Sequence, residues 1–182
     1  MLCVIVTPQS GHIDILGTDI VKLSSSARDR FRSEHIGVIF QMFNLLPYGS
    51  VIDNVLLPLS FSQKRRARAS SGGDAGHEAR RILSALGLDR ALFDGSSTAL
   101  SVGQQQRVAA ARALIGAPEL IIADEPTSAL DAAHQERFLD LLFSQVAEAH
   151  TTLLMVSHDR RIAPLFDQVI ELEDVVAVRR DP

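Results

Sequence analysis

The sequence carries a single cysteine, Cys3, so neither an intramolecular disulfide nor a thiolate metal cage can form within the chain. That usage fits a reducing compartment, and a cytoplasmic location is the expectation. Long apolar runs are missing too. The longest, Val108 to Ala117, is broken by Arg112 and falls far short of the roughly 18 residues needed to cross a bilayer. Met1 to Val6 is apolar but has no basic flank and runs at once into Thr7-Pro8-Gln9-Ser10-Gly11, which argues against a signal peptide. It reads instead as the tail of a buried helix. No internal repeat is visible, and neither sign of charge dominates: 18 lysines and arginines against 22 aspartates and glutamates give −4. With the two signs interspersed there is no domain-wide basic face, and no nucleic acid partner is expected. Against these absences stand 182 residues, 46% apolar and 22% charged, which is an ordinary balance for one globular domain with a sizeable core.

Periodicity divides the chain into strands and helices. His12-Ile13-Asp14-Ile15-Leu16 alternates polar and apolar up to Gly17, the pattern of a half-buried strand, and Ile36 to Phe40 is a second short apolar run ending at Gln41. His77 to Leu86 places Ile82, Leu83 and Leu86 at helical spacing and stops at Gly87. Ser101, followed three residues on by Gln104, predicts a capping box that opens a helix running to Gly116. Leu120 to Asp124 reads as a strand, Gln135 to His150 as an amphipathic helix, and Thr151 to Val156 as another strand. Strand, helix and strand in that order form a βαβ unit, so the expected fold class is α/β: a mostly parallel sheet flanked by helices, with a helical subdomain over 51–116. Lys64-Arg65-Arg66-Ala67-Arg68, leading into Ser70-Ser71-Gly72-Gly73, reads as a basic run entering a flexible loop over 64–76.

In open parallel sheets, ligands bind beyond the carboxyl ends of the strands. Three such ends carry polar groups here: Gln41, the adjacent Asp124 and Glu125, and His158. Two neighbouring carboxylates repel each other unless a cation or a protonated neighbour is present, so Asp124-Glu125 points to a bound Mg²⁺ and an activated water.

These residues lie in segments that resemble the ordered motifs of ABC-type ATPases. Gln41-Met42-Phe43-Asn44-Leu45-Leu46-Pro47 resembles the Q-loop, and Ser101-Val102-Gly103-Gln104-Gln105-Gln106-Arg107 resembles the signature. Leu120 to Thr127 resembles the Walker B segment, Ser128-Ala129-Leu130-Asp131 the D-loop, and Val156-Ser157-His158-Asp159 the switch-histidine segment. Their wording is most similar to the lipoprotein-release and macrolide-export subfamily. The resemblance implies a P-loop NTPase-like fold, ATP and Mg²⁺ as ligands, a homodimer of ATPase domains, and a membrane permease touching the chain near Met42 to Tyr48. It implies a cytoplasmic chain, peripheral on the inner face of the cell membrane. By the same resemblance Asp124 and Gln41 would hold Mg²⁺, Glu125 would polarise the attacking water, Gln41 would sense the γ-phosphate and metal, and His158 would hydrogen-bond the γ-phosphate or the attacking water. Ser101, Gly103 and Gln104 stand at a helix N-terminus, where free N–H groups favour an anion; in the family that anion is the partner subunit's nucleotide, to which Asp131 also belongs.

Two departures qualify the resemblance. Val102 stands where the common signature has its first glycine, whereas Gly103, where the phosphate comes closest, is kept. The sequence also contains no G-x-x-x-x-G-K-[ST], the loop that cradles phosphates, so the chain reads as one ABC ATPase domain over 1–182 without its N-terminal strands and P-loop. Two functional expectations follow: the ATP-hydrolysing subunit of an exporter, or a chain that folds and pairs with a partner but hydrolyses nothing. An ABC ATPase of DNA repair is disfavoured, because the interval between Gln41 and Ser101 leaves no room for a long coiled coil.

Overall fold

A computed structural model describes residues 11–175. The Met1 to Val6 segment read as a helix tail lies outside them.

The chain enters through a short hairpin, β1 (Asp14–Ile15) and β2 (Thr18–Asp19), paired antiparallel. Leu16 (φ 53°) and Gly17 (φ 73°) make the turn between them, which trims the strand expected over His12 to Leu16 to two residues. α1 (Ser25–His35) follows, capped by the Ser24 hydroxyl, which accepts the Ala27 N–H at 3.3 Å. It runs directly into β3 (Ile36–Ile39), which pairs in parallel with β4 (Leu120–Asp124), itself parallel to β5 (Thr152–Val156). The register aligns Ile39 with Ala123 and Asp124 with Val156, so the carboxyl ends of all three strands open on one edge.

Strand alternation supplies two faces. Ile39, Ile121 and Ala123 turn toward the helices and join the main core with Val108, Leu139 and Leu142. Ile36 and Ile122 turn the other way, onto a smaller cluster with Ile20, Ile13 and Phe31 from the hairpin and α1. α6 (Ala132–Glu148) makes the crossover from β4 to β5, completing the expected βαβ unit.

Between β3 and β4 the described backbone is helices and turns: α2 (Val51–Leu56), α3 (Gln63–Ala69), α4 (Ala75–Ala85) and α5 (Val102–Leu114). These helices share one core with the sheet, since Val51, Val55, Ile82 and Leu83 belong to the same buried cluster as Ile121 and Phe138. Gly37 lets α5 lie against β3, for a Cβ there would run into the Ala113 carbonyl.

The loop expected over 64–76 is corrected by α3. Residues 64–69 are helical, opened by the Ser62 hydroxyl accepting the Arg65 N–H at 3.1 Å, and only 70–74 lie outside helices. The reason is Arg65, which is 2% exposed and points inward. Its guanidinium donates to the carbonyls of Ile115 (2.6 and 2.9 Å) and Ala113 (2.8 Å), orphan acceptors at the end of α5, and to that of Ile36 (3.3 Å) at the start of β3. Burial pulls this guanidinium down to about 10, so it stays charged at neutral pH. Arg68 adds bonds to the Gly116 and Glu34 carbonyls and to the Glu119 carboxylate. The basic run is therefore a staple between α3, α5 and the sheet.

Candidate functional site

The site gathers where β4 and β5 end. Glu125 follows Asp124 with φ 45°, a left-handed backbone unusual for a residue with a side chain, and its N–H donates to Val156 O at 2.9 Å. That bond carries the strand ladder one step past β4 and fixes where the Glu125 side chain leaves the sheet. The Glu125 carboxylate accepts two bonds from His158, the backbone N–H and Nδ1, both at 2.8 Å. With Nδ1–H donating, Nε2 of His158 is the free nitrogen, on a side chain 78% exposed against 18% for Glu125. The structure thus brings together two residues that lie far apart in sequence and were singled out separately as strand-end polar groups.

Asp124 ends β4 exposed, and among the described residues its carboxylate has no hydrogen-bonding or ion-pair partner. Gln41 is exposed just beyond β3; since Ile39 pairs with Ala123, it stands at the same edge of the sheet. One open carboxylate and one amide oxygen suit Mg²⁺, which keeps several waters and leans on phosphate oxygens. Among the described residues no cluster of three His, Cys, Asp or Glu side chains forms an all-protein metal cage. The donor set therefore fits Mg²⁺ brought in with a phosphate ligand.

The capping box predicted at α5 is present: Ser101 N–H donates to Gln104 Oε1 at 2.9 Å and Gln104 N–H to Ser101 Oγ at 3.4 Å. Ser101 and Gln104 thus satisfy each other, leaving the N–H groups of Val102 and Gly103 at the open end of the helix. Among the described residues no hydrogen bond joins Ser101, Gly103 or Gln104 to Glu125 or His158. Asp131 caps α6, accepting the His134 N–H at 3.0 Å and ring Nδ1 at 2.8 Å, and these bonds hold its carboxyl below the ordinary range.

The Gln41 to Tyr48 loop is tied down by three polar groups that the sequence reading did not single out. Arg112 of α5 donates to the carbonyls of Phe43 and Asn44, residues that both have positive φ. Asn54 is fully buried; it accepts the Leu46 N–H at 2.6 Å and donates to Leu46 O and Ser50 O. Ser97 donates to the same Leu46 carbonyl at 2.7 Å. The available signal was an arginine inside the alanine-rich Val108 to Ala113 stretch, where a buried cation needs acceptors. Beside the loop lies a groove of about 640 Å³ lined by Phe40, Asn44, Leu57, Phe61, Arg65 and Arg112, and nearby Met42 and Tyr48 are 80% and 85% exposed.

Among known proteins, the chain matches the ABC transporter family over residues 1–128. It is 40% identical over 166 residues to the lipoprotein-releasing system ATP-binding protein LolD of Porphyromonas gingivalis, covering 91% of this chain and 72% of that protein. It is 39% identical over 168 residues to the macrolide export ATP-binding/permease protein MacB of Rhodopirellula baltica, covering 92% of this chain but 24% of that longer relative. Among solved structures, the dimeric post-hydrolysis state of the ATP-binding cassette MJ0796 bound to ADP and Pi superposes with a TM-score of 0.74 at 33% identity, covering 88% of this chain and 68% of the cassette. The chain belongs to the ABC transporter family, and its fold is that of the family's ATP-hydrolysing cassette. No helix among the described residues is long and apolar enough to cross a membrane.

Proposed function

We propose that the chain serves as the ATP-hydrolysing subunit of an ABC exporter, with Glu125 as the group that polarises the attacking water. The observation that carries this reading is the Glu125–His158 pair at the end of two parallel strands, its two bonds at 2.8 Å. By accepting Nδ1–H, Glu125 sets the His158 tautomer and leaves Nε2 facing solvent, where it can hydrogen-bond a γ-phosphate oxygen or the water. Asp124 and Gln41 would hold Mg²⁺, whose contribution when bound is to neutralise charge on the β- and γ-oxygens. The open N-terminus of α5, with Ser101, Gly103 and Gln104, faces the nucleotide of a second subunit, and Asp131 lies at that same dimer surface. The groove beside Met42 to Tyr48 receives a membrane permease, which places the chain on the inner face of the cell membrane. The names of its relatives, a lipoprotein-releasing system and a macrolide exporter, support the exporter reading.

The test joins this chain to a segment bearing G-x-x-x-x-G-K-[ST] and substitutes Glu125→Gln. The amide keeps the size and can still accept from His158, but it takes no proton, so turnover falls by about 10²-fold or more while ATP binding survives. Unchanged steady-state turnover would remove Glu125 from this role.

A further inference from the structure

Gln135 lies one turn into α6, is 7% exposed, and holds none of the roles assigned above. Its Nε2 donates to Thr127 Oγ1 at 3.1 Å and to Asp159 Oδ2 at 3.0 Å, and its Oε1 accepts from the Arg161 guanidinium at 3.5 Å. Thr127 is two residues past Glu125, and Asp159 directly follows His158. One buried amide therefore spends both its N–H groups on the two loops that carry the site, and the Thr127 hydroxyl, on a residue only 3% exposed, finds an acceptor role there. The opposite side of the Glu125 turn is held from α5, where Gln106, 1% exposed, donates from Nε2 to Pro126 O at 2.6 Å. The Asp159 carboxyl is kept well below its ordinary range, by the Arg161 guanidinium first and Gln135 next, so it remains an acceptor at neutral pH.

We propose that Gln135 is a positioning residue that sets the separation of the Glu125 and His158 loops, acting through Thr127 and Asp159 without touching any reacting group. The proposal builds on the Glu125–His158 reading. Its chemical requirement is narrow: a side chain of this length with two donors facing a hydroxyl and a carboxylate. Leucine would fill the volume but bond neither loop. Glutamate would meet Asp159 with a second negative charge.

Amide hydrogen exchange, followed by NMR on the 182-residue chain, tests it without nucleotide. The reporters are the His158 N–H, which donates to Glu125 Oε1, and the Glu125 N–H, which donates to Val156 O. In Gln135→Leu, protection at both should fall about tenfold, while Ala110 and Ala111 in the interior of α5 keep theirs. Gln135→Glu should lose at least as much. Combining Gln135→Glu with Asp159→Asn returns donor and acceptor with their roles exchanged, and His158 protection should recover to within about twofold of the parent. Parental protection at His158 in Gln135→Leu overturns the proposal, as does a uniform loss that includes Ala110 and Ala111. Should the leucine variant fail to fold, the proposal falls if the combined substitution is no better protected than Gln135→Glu. Exchange reads loop geometry alone, so its failure leaves the Glu125→Gln result standing, and the converse holds.

Discussion

Arg65 and Arg66 are neighbours with opposite fates. Arg65 is buried against the carbonyls of Ala113, Ile115 and Ile36, whereas Arg66 is exposed and, among the described residues, its guanidinium reaches only the Leu59 carbonyl. Removing the first leaves several buried carbonyls without donors; removing the second lets water substitute. Arg65→Met should therefore cost about 3 kcal/mol of unfolding free energy, and Arg66→Met less than about 0.5 kcal/mol, both read by urea denaturation. Arg65→Lys should stand close to Arg65→Met, because an ammonium cannot place the forked donors that meet Ala113 and Ile115 together. Equal costs for the two methionine variants would show that the basic run is merely solvated. At the same scale, Glu125 keeps a left-handed backbone whose strain is worth about 1–3 kcal/mol, held by the Val156 carbonyl and by His158.

Elements with an apolar run or period of their own are legible in the sequence. β4, β5, the capping box of α5 and the body of α6 fall where an apolar run, a β-favouring run, Ser101 with Gln104, and amphipathic spacing put them. α1 has no buried residue and so no apolar period, and its Ser24 cap is hidden in the serine run Ser24 to Ser26; Phe31 packs it toward Ile36 and Ile122. α3 is not legible locally, because the direction of Arg65 depends on carbonyls supplied from residues 36, 113 and 115, which no local window contains. The candidate site divides in the same way. Glu125 and His158 sit at strand ends where chemistry is expected, whereas Gln106 and Gln135 are ordinary helix residues whose partners only the fold supplies. Two glycines separate packing from a binding role in the same terms. A Cβ at Gly37 meets backbone of α5, but at Gly103 it meets only Leu130 Cδ2 at 3.9 Å. Gly37→Ala should destabilise by about 2 kcal/mol, and Gly103→Ala should be neutral or stabilise by up to about 1 kcal/mol, since alanine favours helix. Thermal unfolding of the pair decides, and a destabilised Gly103→Ala would mean that this glycine is kept for packing.

On the scale of the whole molecule, two surfaces among the described residues carry the proposed nucleotide contacts: the strand-end edge with Asp124, Glu125 and His158, and the open N-terminus of α5. Neither is a phosphate cradle, and the 182 residues contain no G-x-x-x-x-G-K-[ST] segment. The 182-residue chain by itself should therefore bind Mg-ATP weakly. Such a segment contributes a lysine, several backbone N–H groups and a hydroxyl on Mg²⁺, and each charge-assisted hydrogen bond is worth roughly 1.5–3 kcal/mol. Lacking two or three of them costs about 4 kcal/mol, on the order of a thousandfold in affinity. Asp124 and Glu125 do not compensate, because carboxylates repel a triphosphate unless a cation lies between them. The α5 terminus does not compensate either: Ser101 and Gln104 already satisfy each other, and two remaining N–H groups on an exposed helix end hold an anion only loosely. Calorimetric titration of Mg-ATP into the chain should give a dissociation constant in the millimolar range or no measurable heat, and joining a phosphate-cradle segment should restore tight binding. Micromolar affinity for the chain alone would mean that a surface other than these two holds the nucleotide.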